Sequence, residues 1–256
     1  VVGLAVSGCG YPAGGPPQGE GPGHRQQALA LSPRQELELG RRAYQEVLSN
    51  PDKFGRALPD NSPGCRRVRA VTRRIVQAAQ IEPLQREINL RPGYPFEWEV
   101  AVLQNPSVNA FCLPGGKVVV FEGILRVVEN DDQLATVISH EVAHALAHHS
   151  SERVARQEMS GGRSGGFWAK AYDREQESEA DHIGIFLMTF AGYNPEEAIR
   201  FWERMQRVSG GRQALPEILS DHPSDARRIA QLKEWVPRAE AGKRAYDAGD
   251  IVPAHR

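Results

Sequence analysis

The sequence predicts a mostly helical α+β domain in which a small sheet lies beside one long central helix. Three observations predict it. Apolar residues recur at helical spacing through most of the stretch from residue 32 to 236. Only two short segments, around Phe96–Val102 and Val118–Phe121, read as strands. Just past the chain's midpoint a helix begins that carries His140-Glu141-Val142-Ala143-His144.

Ser32-Pro33-Arg34-Gln35 is a helix start, with Ser32 as N-cap, Pro33 in the first turn and Gln35 closing a capping box. Leu37, Gly40, Tyr44 and Val47 continue that helix, and Pro51 breaks it. A second helix fits Cys65 to Gln80, with Val68, Val71, Ile75 and Ala79 inward and arginines outward. Phe96, Trp98, Val100 and Val102 then alternate with Glu97, Glu99 and Ala101, the period of a half-buried strand. Asn105-Pro106 turns the chain toward the apolar run Val118–Phe121. Asn130 or Asp131 caps the long helix, which is expected to carry His140, His144 and His149. After the glycine-rich loop Gly161–Gly166, helices fit Tyr172–Ala191, Pro195–Val208 and Asp225–Trp235. The domain is thus expected to span 32–236, with 237–256 a loose tail.

His140 and His144 are i and i+4, so both imidazoles share one helical face and can bind one ion. Glu141 can reach a water on that ion but is badly placed to be a ligand. Glu177 and Asp181 form a second i,i+4 pair, which offers a third ligand. Glu179 competes for that role but lacks the same-face spacing to Asp181. His148 lies too far along the axis to share the ion with both other histidines, and reads as solvated or structural. Two histidines, one carboxylate and an open position suit a catalytic Zn2+, one per chain.

Hydrophobic residues make up 40% of the 256 and the net charge is −1, so a sizeable core is available and nothing points to nucleic acid. Val6-Ser7-Gly8-Cys9, after the apolar start, resembles the lipobox closing a bacterial lipoprotein signal peptide. On that reading residues 1–8 are the end of a signal and Cys9 is lipidated. Residues 9–31 are then a Gly/Pro-rich tether joining the domain to a membrane. Gly10 after the cysteine implies outer-membrane sorting, hence a Gram-negative envelope lipoprotein facing the periplasm. The other cysteines, Cys65 and Cys112, either pair in a disulfide or stay as buried thiols. The longest apolar stretch, Ile183–Tyr193, is shorter than the ~20 residues needed to span a bilayer.

Four blocks resemble metallopeptidase family 48 of the gluzincin clan, which includes CAAX prenyl proteases, HtpX-type membrane proteases and BepA-like periplasmic proteases. They are Asn109-Ala110-Phe111 with Pro114-Gly115-Gly116, His140-Glu141-x-x-His144, Glu177-x-x-Ala180-Asp181, and His222-Pro223 with Arg228-Ile229. The resemblance implies a zincin-like metalloprotease fold with His140, His144 and Glu177 as zinc ligands. It implies that Glu141 is the general base and that Asp181 holds a ligand imidazole. His222 and Arg228 become candidate donors to the oxyanion, and His222 also a latch on the resting zinc. Gly116–Phe121 is expected as an edge strand that pairs with substrate, with Asn109, Gly115, Gly116, Val118 and Val120 as substrate-binding residues. The implied activity is a zinc endopeptidase acting on unfolded, damaged or misassembled envelope proteins, with outer-membrane assembly components as candidate partners. The alternative is a chaperone-like periplasmic assembly factor with little proteolysis. The interval from His144 to Glu177 is short for this family, and the glycine-rich loop falls within it.

Overall fold

The computed structural model describes residues 18–20, 26–81, 84–85, 88–89, 94–159, 172–209, 217–222 and 226–250. Short strands β1 (Gln18–Glu20) and β2 (Gln26–Ala28) pair antiparallel. The residues after β2 are not a free tether. Gln27 Nε2 donates to the Ala147 carbonyl at 2.5 Å, Leu31 N–H donates to Ser151 Oγ at 2.9 Å, and Leu29 is buried. Cys9 and the apolar start lie outside the described residues, as does the loop 161–166.

Helix α1 (Pro33–Ser49) begins at the expected capping box, with Ser32 and Gln35 capping reciprocally. Its Gly40 lies so close to the Pro114 carbonyl that a Cβ would sit 1.7 Å from that oxygen. After the short α2 (Pro51–Phe54), α3 (Pro63–Ala78) starts on Ser62 and buries Val68, Val71 and Ile75. Strands β3 (Glu99–Leu103), β4 (Ala110–Leu113) and β5 (Lys117–Phe121) form one sheet in the order β3-β5-β4. β5 runs parallel to β3 and antiparallel to β4, to which Pro114-Gly115-Gly116 joins it. Gly115 and Gly116 have φ of 70° and 89°, the left-handed region that admits glycine freely.

The sheet corrects one expectation. β5 is the central strand, all five of its residues are buried, and its main chain is taken up by neighbours on both sides. Val118 and Val120 are therefore core residues and cannot pair with a substrate. Gly115 and Gly116 back onto Leu37 and Trp98, not onto a cleft. The strand at the sheet edge beside the central helix is β4, which the sequence did not show as a strand.

Helix α4 (Asp131–Leu146) is capped by Asn130, whose Oδ1 accepts from the Gln133 N–H at 2.8 Å, and is buried from Gln133 onward. It packs against β4, α3 and the later helix α6. It stops earlier than expected: His148 takes φ 55°, and α5 (His149–Met159) starts in a new direction. A left-handed histidine is strained. Here His148 is held between the Glu36 carboxylate, 3.1 Å from Nδ1, and the Tyr94 ring at 3.8 Å. His148 is therefore structural and buried, not solvated.

Helices α6 (Arg174–Phe190), α7 (Glu196–Ser209), α8 (Glu217–Asp221) and α9 (Ala226–Asp247) complete the domain. The expected tail from 237 is instead the second half of α9. The helix continues through Pro237 because Val236 and Ala239 remain buried and Tyr246 meets Phe190. Among the described residues no helix is long and apolar enough to cross a membrane. Cys65 and Cys112 are both buried free thiols, so the disulfide is ruled out. Each sulfur faces a different main-chain carbonyl at 3.6 Å, Leu58 and Leu113 respectively.

Candidate metal centre

The i,i+4 spacing on α4 brings His140 Nε2 and His144 Nε2 to 3.0 Å from each other. The first turn of α6, set by an Asp173 capping box, supplies Glu177. Its Oε2 lies 3.4 Å from His140 Nε2 and its Oε1 lies 3.4 Å from His144 Nε2. The residue after α8 supplies His222, with Nδ1 3.1 Å from His140 Nε2 and 2.9 Å from Glu177 Oε1. Four ligand atoms at zinc-bond lengths around a tetrahedron stand ~3.3 Å apart. The separations given are 2.9–3.4 Å and the four groups' ligand atoms all lie within 4.8 Å of one another, so the four side chains converge on a site that could hold one zinc ion.

Two buried oxygens there, Glu177 Oε2 and Glu141 Oε1, have no hydrogen-bond partner among the described residues. Their ion-pair contacts, Arg228 Nη1 and His140 Nε2 at 3.4 Å from Glu177 Oε2 and His222 Nε2 at 3.2 Å from Glu141 Oε1, are not hydrogen bonds. A cation among these groups would satisfy both oxygens. The imidazole and carboxylate donor set fits one zinc ion. Protonation suits this too. Burial pushes the Glu177 carboxyl up, but the His222 and His140 rings outweigh it and hold it well below the usual range. Burial keeps His144 well below its ordinary value, hence neutral. Burial and Arg228 push His140 down, yet Glu177 and Asp181 prevail and raise it to about 9. Without metal, that site therefore holds a proton where the ion would sit.

Each ligand histidine is braced on its far side. Asp181 Oδ1 accepts from His140 Nδ1 at 2.9 Å and from Arg228 Nη2 at 2.6 Å, and the Arg228 guanidinium lies 3.5 Å over the Trp202 ring. Arg228 is thus committed behind the ligands. Its contacts fit support of Asp181 in place of the expected oxyanion role. His144 Nδ1 lies 2.7 Å from His149 Nδ1, and His149 Nε2 lies 2.8 Å from Glu179 Oε2. One set of tautomers satisfies this chain. Glu179 accepts from His149 Nε2–H, His149 Nδ1 accepts from His144 Nδ1–H, and His144 Nε2 is left free as a ligand. Helix crossing depends on Gly184 of α6, where a Cβ would stand 3.2 Å from the His140 main-chain nitrogen.

Glu141 follows the first ligand on α4 and is buried against β4, where the Cys112 main-chain N–H donates to it. Burial raises its carboxyl above the ordinary value, and His222 Nε2 stands 3.2 Å from its Oε1. A carboxyl raised above its ordinary value beside a metal group is suited to general acid–base work.

The sequence profile of Peptidase family M48 matches residues 69–161 and 159–236, well over half of the chain. The chain belongs to peptidase family M48. The family 48 expectation and its zincin-like fold therefore stand. Among its relatives, the mitochondrial metalloendopeptidase OMA1 of Schizosaccharomyces pombe is 34% identical over 83% of this chain and 64% of its own length. The Saccharomyces cerevisiae OMA1 is 34% identical over 80% of this chain and 64% of its own. The beta-barrel assembly-enhancing protease of Escherichia coli is 26% identical over 52% of this chain and 33% of its own. The chain thus spans a little under two thirds of the length of the yeast relatives.

These relatives overturn the expected Gram-negative outer-membrane lipoprotein. The more similar of these M48 proteins are named as mitochondrial, and the bacterial beta-barrel assembly-enhancing protease is less similar. The structure also places the site residues unequally. His140, His144, Glu177 and His222 converge, with Glu141 and Asp181 in contact. Asn109, expected to bind substrate, donates from Nδ2 to Asp221 Oδ2 at 3.0 Å, which fastens the end of α8 just before His222. Sequence reasoning missed His149 and Glu179 as a pair, and also Trp202 and Tyr172, whose ring stacks on His144 at 3.8 Å. A carboxylate beside Glu177 and a histidine five residues past His144 were the available signals.

Proposed function

We propose that this M48 domain is a zinc-dependent endopeptidase in which His140, His144 and Glu177 hold the ion and Glu141 is the general base. The observation carrying this reading is the convergence of four buried ligand groups within 4.8 Å of one another, with Glu141 beside them. Bound zinc supplies acidification of a water and polarisation of the scissile carbonyl. Glu141 removes the proton of the attacking water and passes it to the leaving amine. The His140–Asp181–Arg228 and His144–His149–Glu179 chains hold the ligand rings in one tautomer and orientation.

The substrate strand pairs with β4, not β5. The Asn109 carbonyl accepts from the Phe121 N–H at 3.0 Å, so by antiparallel alternation the main chains of Ala110 and Cys112 face outward. Their N–H groups go to Asn109 Oδ1 at 2.9 Å and to Glu141, so a substrate strand would pair first with their carbonyls. Main-chain pairing tolerates many side chains, which favours extended, unfolded or damaged proteins as substrates. His222 would be the fourth group around the ion, and would have to withdraw for a water to be bound there. Its segment is fastened beside the same edge, by Ile218 N–H on the Val108 carbonyl and by Asn109 on Asp221, both at 3.0 Å.

Unfolded casein tests the reading. Cleavage that stops on chelation and returns with one equivalent of zinc is the expected result. Retained casein binding with no cleavage by the zinc-loaded protein would favour the chaperone-like alternative.

A further inference from the structure

Beside the metal group, on the Glu177 side, a cavity of about 260 Å³ opens between the first turns of α6 and α9. It is far larger than the ~30 Å³ share of one water. Arg174, Glu177, Ser178 and Asp181 follow one another at i, i+3, i+4 and i+7, so one stripe of α6 forms its first wall. Arg227, Arg228 and Gln231 of α9 form the other, joined to the first by a 3.0 Å hydrogen bond from Gln231 Nε2 to Ser178 Oγ.

The charges on these walls are not balanced alike. Asp181 is taken by Arg228 and His140, and Glu177 belongs to the metal group. The nearby Glu175 carboxylate leans toward Arg156, at 3.7 Å. Arg174 and Arg227 are exposed, and neither has a carboxylate partner among the described residues. Both sit in the first turn of a long helix, where the macrodipole adds further positive potential. A second cavity, of about 510 Å³, shares Arg174, Ser178 and Arg227 and runs on to Trp235. The two arginines line both cavities, a passage that begins at Glu177 of the metal group and whose outer part is also lined by Glu175 and Glu179.

We propose that this passage is a subsite for an acidic side chain of the peptide, and that Arg174 and Arg227 are its specificity-determining residues. The subsite rests on the peptidase reading above. A carboxylate there meets two guanidinium groups and two helix N-termini, whereas a lysine meets like charge.

The test uses peptide pairs that differ only by Glu or Gln at each position flanking the scissile bond. With zinc-loaded wild-type protein, the Glu peptide is expected to have about tenfold higher kcat/KM at one position, the order of one charge-assisted hydrogen bond. That ratio should fall to near one in the Arg174→Ala, Arg227→Ala double variant, persist in part with lysine at both positions, and invert toward a Lys peptide in Arg227→Glu. Equal ratios in wild type and double variant overturn the subsite. Binding of the same peptides to the zinc-loaded Glu141→Gln protein, read by fluorescence anisotropy, separates the two claims. Arginine-dependent preference for the Glu peptide without any wild-type cleavage sustains the subsite and sinks the peptidase reading. Equal binding of both peptides sinks the subsite, whatever is cleaved.

Discussion

His149 and Glu179 touch no substrate in this account, yet their removal should loosen the zinc. His149 sits 2.7 Å from the Nδ1 of ligand His144 and 2.8 Å from Glu179, and both residues are buried. With Glu179 as acceptor, the His149 proton stays on Nε2 and its Nδ1 can accept from His144. Glu179→Gln removes the charge, and its amide can present a donor to His149 Nε2. If the His149 proton then moves to Nδ1, two donors face each other across 2.7 Å. His144 loses its brace and its preferred tautomer. Loss of such a partner typically costs 10–100-fold in metal affinity, about 1.4–2.7 kcal/mol. Competition against a chromophoric zinc chelator measures this directly, with circular dichroism to confirm that the fold persists. His149→Gln should lose a similar factor, and the double variant should lose much less than the product of the two. Wild-type zinc affinity in both single variants would refute the relay.

Three further outcomes follow from the same geometry. Gly184→Ala must push the α4 main chain at His140 by a few tenths of an ångström, and should destabilise the protein by about 1–3 kcal/mol and lower its zinc affinity, seen in thermal melts with and without metal. The His140 value of about 9 in the metal-free protein means that zinc displaces a proton. Affinity should therefore climb with pH up to about 9, with one proton released per zinc, measured by calorimetry in buffers of different ionisation heat. The sign for stability is opposite. A histidine raised from 6.5 stabilises the metal-free fold fully below about pH 6.5 and loses that contribution as pH rises through 9. His222→Ala should keep its zinc and raise the rate of casein cleavage, whereas an unchanged rate would make His222 a bystander.

What was legible in the sequence was local. The capping box at Ser32 and the i,i+4 pairs His140/His144 and Glu177/Asp181 are each written within about five residues of sequence, and the structure reproduces them. What was not legible depended on partners far along the chain. β4 is only four residues long and lacks clear alternation, so the central place of β5 was hidden. His149 looked like the continuation of α4. It reaches His144 only because Glu36, 112 residues from His148, helps hold the left-handed break between them. Trp202 reads as an ordinary core residue until Arg228 is laid on its face. Pro237 reads as a helix end until buried Val236 and Ala239 are seen to carry α9 past it.

The central claim is that a zinc-holding group works through Glu141, and one sample tests it. In the Glu141→Gln protein, zinc content and casein hydrolysis should be measured together. The account predicts one zinc per chain with hydrolysis reduced by about 10²–10⁴-fold, the usual worth of a positioned general base. One zinc per chain with hydrolysis at the wild-type rate would contradict it.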